Sequence, residues 1–144
     1  MTEKAAARHA SGLKWESCPP FYTHLGLVLE EIGGGRCVTH LPYAKHFGNS
    51  RGEVHGGIAA SVLDITMSQA LRSAIEGPIG VATISLNVSY LAPAFGVLRC
   101  EAKLVRRGRS VAFVEGEVKG ENGESATRAV GTFRILRKDT TGGR

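Results

Sequence analysis

From residue 56 to residue 72, apolar side chains fall on every side of a helical wheel, and before Arg72 the only formal charge is Asp64. Alanine, leucine and methionine favour helix, so GGIAASVLDITMSQAL predicts one long buried helix opened by two glycines. At about 1.5 Å per residue it reaches roughly 24 Å, enough to cross a small domain. On either side the pattern alternates with period two, the mark of half-buried strands. Residues 26–32 (GLVLEEI) and 36–41 (RCVTHL) predict two strands joined by Gly33-Gly34-Gly35, a three-residue hairpin loop. Residues 81–90 (VATISLNVSY), 97–105 (VLRCEAKLV), 111–118 (VAFVEGEV) and 125–136 (SATRAVGTFRIL) predict four more. Residues 106–110 (RRGRS) read as a hairpin loop and Asn122-Gly123 as a tight turn. FYTHL over 21–25 reads as a short turn or helix, and residues 42–54 as a loop rich in Gly, Asn and Ser.

About six strands with hairpin connections and one all-round apolar helix imply an α+β fold, an antiparallel sheet wrapped around the helix. Such a helix needs cover on more than one side, which a second subunit would supply. With neither an internal repeat nor a linker, residues 18–137 read as one domain. A mobile tail is expected over 1–17 and a polar, Gly-rich one over 138–144.

Composition narrows the classes. A chain of 144 residues suits one domain, and 42% hydrophobic with 22% charged residues is ordinary for a globular protein. No apolar run approaches the ~20 residues of a membrane span. MTEKAAARHASG lacks the apolar centre of a secretory signal; its alanines and Arg8 suit a mitochondrial presequence, but Glu3 argues against one. Cys18, Cys37 and Cys100 are odd in number and form no CxxC pair, which points to a reducing compartment without disulfide framework or zinc. The expectation is a cytoplasmic protein with no metal. A net charge of +5 raises nucleic acid as a partner. The basic residues are scattered except for Arg106-Arg107-Gly108-Arg109, aromatics are 6%, and no nucleic-acid motif is present. A small anionic ligand explains one basic cluster as well.

His55-Gly56-Gly57, six residues after Asn49 and followed by Asp64 in the helix, resembles the signature of hotdog-fold acyl-CoA thioesterases, in particular the phenylacetate-degradation (PaaI-like) type. The strand VATISLNVSYLAP, with Tyr90-x-x-Pro93, matches that family's strand after the helix. Arg107-Gly108-Arg109-Ser110 matches its basic turn between the next two strands, so the resemblance covers about residues 21–136. It implies a hotdog fold and hydrolysis of an acyl-CoA to acid and coenzyme A, with no cofactor beyond the coenzyme A of the substrate. It also implies a homodimer with composite active sites, commonly paired into a tetramer.

The resemblance assigns roles that the residue types can fill. The amide of Gly56, unpaired at the positive end of the helix, would donate to the thioester oxygen. Gly56-Gly57 also reads simply as a tight turn into the helix. Asp64 matches the catalytic carboxylate, acting as a base on water or as a nucleophile that forms a mixed anhydride. It lies about 12 Å along the axis from Gly56, too far to serve one carbonyl within one subunit. In the family the two meet across a two-fold axis, Gly56 and Asn49 of one chain facing Asp64 and Thr83 of the other. The plainer reading of Asp64 is a carboxylate satisfied in an interface. Asn49 would orient the water or the carboxylate, or is a turn residue. Thr83 would help place the water, or is an ordinary strand residue. Ser68, one turn beyond Asp64, is a reserve for that task. His55 reads as structural, positioning the loop at the helix start. Arg106, Arg107, Gly108, Arg109 and Ser110 match the loop that meets the phosphates of coenzyme A, where the planar arginine fork suits phosphate; a solvated hairpin tip is the alternative. Phe21, Tyr22, Leu25, Phe47 and Leu91 border an acyl tunnel or are plain core.

Rival activities part on single features. His46-Phe47 superficially resembles a hotdog dehydratase motif, but its proline is missing and the position fourteen residues on, where the carboxylate belongs, is Ala60. A non-catalytic acyl-CoA-binding module would keep the pocket without hydrolysis.

Overall fold

The computed structural model describes residues 14–137. A short helix α1 (Pro20–Leu25) leads into strands β1 (Val28–Gly33) and β2 (Arg36–Leu41). A 3-10 turn (Lys45–Phe47) and a loop precede the long helix α2 (Gly56–Arg72). Four strands follow, β3 (Ile79–Tyr90), β4 (Leu98–Arg107), β5 (Val111–Lys119) and β6 (Ser125–Arg137). All six strands form one sheet in the order β1-β2-β4-β5-β6-β3, every pairing antiparallel. It wraps α2 as the α+β reading requires.

Alternation decides what faces the helix. Cys37, Leu98, Cys100, Ala102, Ala112, Val114, Val118, Phe133 and Ile135 point inward and are buried. The seat under α2 is made of small residues. A Cβ on Gly116 would lie 2.9 Å from Leu63 Cδ2, and one on Gly131 would lie 2.7 Å from Phe133 and 2.8 Å from Met67. These glycines let the helix approach the sheet backbone more closely than any side chain allows.

Several boundaries differ from the sequence reading. Gly33 pairs with Arg36, so the first hairpin turns on two residues rather than three. Gly34 (φ 59°) and Gly35 (φ 88°) both take the positive φ that a tight primed turn demands. Strand β4 runs on through Arg106 and Arg107, which leaves only residues 108–110 in the next turn. The helix is not apolar on every side: Ser61, Asp64, Ser68 and Arg72, spaced three or four apart, form a half-buried stripe. That stripe faces β3, the sheet's outermost strand on this side. The tail boundary also moves. Trp15 is only 4% exposed and its ring centroid lies 5.1 Å from that of Tyr22. The fully buried Gln69 amide donates to Ser17 O (2.9 Å) and Tyr22 Oη (3.1 Å), while its oxygen accepts from Glu16 N–H (3.0 Å). Residues 14–17 are therefore docked on α2; the tail segments 1–13 and 138–144 lie outside the described residues. Among the described residues no helix is long and apolar enough to cross a membrane.

Candidate active site

The loop before α2 is built around Asn49. Its side-chain oxygen accepts from the backbone N–H groups of Arg51 (2.9 Å) and Glu53 (3.1 Å), closing an Asx turn. Its side-chain NH2 donates to Glu53 Oε2 at 3.3 Å, so one donor of that amide remains. Arg51 donates to both oxygens of Glu53 at 3.1 Å, and this pair, with Asn49, holds the Glu53 carboxyl below its ordinary range.

His55 caps the helix: its Nδ1 accepts from Gly57 N–H at 2.9 Å. That nitrogen therefore carries no proton. The His55 carbonyl accepts from Ile58 (2.9 Å) and Ala59 (3.3 Å), and His55 N–H donates to Phe47 O (2.7 Å). Of the first four amides of α2, three are thus taken, and Gly56 N–H alone has no partner among the described residues. The carbonyl of Gly56 accepts from the Tyr90 hydroxyl at 2.7 Å. Asn49, Glu53, Gly56, Ala59, Tyr90 and Pro93 lie around a cleft of about 430 Å3.

Asp64 is not part of that cleft. On its half-buried stripe it accepts from Thr83 Oγ1 at 2.7 Å. The register of β3 against β6 shifts between Thr83 and Ser85, and this bulge at Ile84 turns Thr83 toward the helix. Ser68 Oγ donates to Ile65 O (2.9 Å), an intrahelical bond. The Tyr22 hydroxyl accepts from Gln69 and lies near both Ser68 and Asp64; burial pushes its pKa up.

Asp64 and Thr83 are therefore brought together within one chain, as are Asn49, His55 and Gly56, but the two groups stand apart along α2. The basic turn sits at the far end of the helix from Gly56: Arg107 Nη1 donates to Ala74 O at 3.4 Å. Arg106, Arg109, Gly108 and Ser110 are exposed. Of the five tunnel candidates, Tyr22, Leu25 and Phe47 are buried while Phe21 and Leu91 are half exposed. Sequence reasoning missed Glu53 and gave Tyr90 no role of its own, because neither residue type advertises a partner that only the fold supplies.

One sheet gripping one helix in this way is the hotdog architecture. Residues 51–127, which hold His55, Gly56, Asp64 and Thr83, match the family model described as the Thioesterase superfamily. The chain belongs to that superfamily and is a PaaI-like thioester hydrolase. It is 40% identical, over 80% of its own length and 83% of the other's, to a Halobacterium salinarum protein named as an esterase. A phenylacetic acid degradation-related protein of Ralstonia eutropha is 30% identical and superposes with a TM-score of 0.76, covering 82% of this chain and 91% of that one. A Bacillus halodurans protein solved with CoA is also 30% identical, with a TM-score of 0.76 over 84% of this chain and 81% of that one.

Proposed function

We propose that the chain hydrolyses the thioester of an aryl-CoA or a short- to medium-chain acyl-CoA, releasing the free acid and coenzyme A. The observation that carries this reading is the division of α2: one free amide at its start and one aligned carboxylate two turns on. Neither suffices alone. Paired across two copies, Gly56 N–H of one chain would hold the thioester oxygen while Asp64 of the other acts on the carbonyl carbon. As a base, Asp64 removes a proton from water; the hydroxide adds to the carbonyl, the oxyanion gathers on Gly56 N–H, and the C–S bond breaks with the proton passing to the leaving thiolate. As a nucleophile, its carboxylate adds to the carbonyl carbon, the C–S bond breaks to release the coenzyme A thiolate, and water opens the resulting mixed anhydride. Thr83 orients the carboxylate in either case, with Ser68 one turn away. The remaining Asn49 donor, close to Gly56, suits the water or the incoming carboxylate. His55 holds the helix start. Arg106, Arg107, Gly108, Arg109 and Ser110 would meet the phosphates of coenzyme A, a ligand class supported by the CoA-bound Bacillus halodurans relative.

The test is thiol release from a panel of aryl- and aliphatic acyl-CoAs by wild type and Asp64→Asn. We expect one acyl class to turn over and the variant to lose about a hundredfold or more in kcat while keeping its oligomeric mass. Under single turnover in 18O-water, label in the Asp64 carboxylate with an unlabelled product acid shows a nucleophile whose anhydride opens at the Asp64 carbonyl, whereas a base sends the label into the acid. Wild type that binds acyl-CoA yet releases no thiol would establish a binding module instead.

A further inference from the structure

Gly56 is the residue whose amide the hydrolase needs, and it is also the one least able to hold that amide still. Glycine turns about φ at little steric cost, and Gly56-Gly57 places two such residues at the first turn of α2. Consecutive glycines also weaken a helix relative to alanine. The Gly56 N–H shares a planar peptide unit with the His55 carbonyl, so its direction is set by what holds the two ends of that unit. On its N-terminal side His55 is fixed at both backbone groups, its N–H on Phe47 O and its carbonyl on Ile58 and Ala59. At the Gly56 end, Tyr90 reaches the glycine from outside the helix.

That contact has two parts. The hydroxyl donates to Gly56 O at 2.7 Å, from 34 residues away in the chain. The ring lies flush on the glycine: a Cβ at position 56 would stand 3.1 Å from Tyr90 Cε1 and Cζ and 3.2 Å from its oxygen. Gly56 has no Cβ, and Tyr90 fills that space. We propose that Tyr90 is a positioning residue for the thioester site: by holding the Gly56 Cα and carbonyl it anchors the far end of the His55–Gly56 peptide, whose free N–H then points to where the oxyanion forms. The proposal rests on the hydrolase reading above. It gives β3 two tasks. Thr83 aligns the carboxylate and Tyr90, seven residues on, aligns the amide, so the register of one strand against α2 sets both halves of the site.

Tyr90→Phe keeps the ring and removes only the hydroxyl. The experiment measures kcat and KM on whichever acyl-CoA wild type turns over, together with 15N relaxation of the Gly56 amide in the intact protein. We expect kcat to fall about tenfold with KM within twofold, and the Gly56 order parameter to drop from roughly 0.85 toward 0.6. A role confined to stability would leave that order parameter and kcat unchanged while lowering the melting temperature, and would overturn the proposal. So would unchanged kcat. If wild type turns over no acyl-CoA, the hydrolase reading fails by that result alone, and the Gly56 order parameter still decides whether Tyr90 holds the amide.

Discussion

Cys37 and Cys100 are free, fully buried thiols that face α2 from neighbouring strands. Burial pushes the Cys100 thiol up to about 12, against a lowering hydrogen bond from Thr66, and raises Cys37 as well. In the unfolded chain both thiols ionise near 9.0, so above that pH the unfolded state binds fewer protons than the folded one. Stability is therefore complete below pH 9 and falls as pH rises toward 12, by on the order of 1 kcal/mol per pH unit for each thiol. Urea unfolding at pH 8 and at pH 10.5 should show the loss, and Cys100→Ala should make the decline shallower; an equal slope in the variant would refute the assignment. The same residue scale separates what was legible in the sequence from what was not. Asp64 stood out because a lone carboxylate in an apolar helix is costly unless something holds it, and Thr83 does. The free amide of Gly56 was legible from its place at the helix start. That it alone of the first four is left free depends on His55 Nδ1 reaching forward to Gly57, a contact that residue type and spacing do not reveal.

The strands and the helix were legible as elements, since period two and an uncharged run each follow from burial on one face or on most of a cylinder. What escaped was how closely they pack. Gly116 and Gly131 look like weak points in strands, where glycine costs conformational entropy. Their role appears only when Leu63 and Met67 rest on them. Gly131→Ala places a methyl within 2.8 Å of Met67 Cε and 2.7 Å of Phe133 Cε2, both in a fully buried layer. Methionine can bend away, the Phe133 ring cannot without moving its neighbours, and overpacking of this kind costs about 1–3 kcal/mol. Chemical denaturation should show a loss in that range for Gly131→Ala. Ser61→Ala, on the half-buried stripe away from that seat, should stay within about 0.5 kcal/mol. Equal stability for both would mean the sheet is free to relax away from α2.

The two edges of the sheet are unlike. β1 is six residues long and carries Glu30 and Glu31, ordinary means of keeping an edge from pairing. β3 is twelve residues long with no charged residue and no proline, and Ile84 and Tyr90 on it are each 56% exposed. An open edge of that kind suits the second copy proposed above, in which a two-fold axis would bring each Gly56 toward the partner's carboxylate. Mixing tests this without a structure of the assembly. Asp64→Asn lacks the carboxylate but keeps the amide. Gly56→Pro lacks the amide but keeps the carboxylate. Proline at the first helical position suits the backbone, since His55 at φ −58° and ψ 136° already has the extended form a residue before proline adopts, and its Cβ asks the exposed Tyr90 ring, 3.1 Å away, to give by a few tenths of an ångström. Each variant alone should be nearly inactive. Unfolded together and refolded at equal amounts, half of the dimers carry one chain of each kind, and each of those has one intact site of two. Turnover should then return to about a quarter of the wild-type rate per chain. Mixtures that stay as inactive as their parents would place both groups in a site formed within one chain.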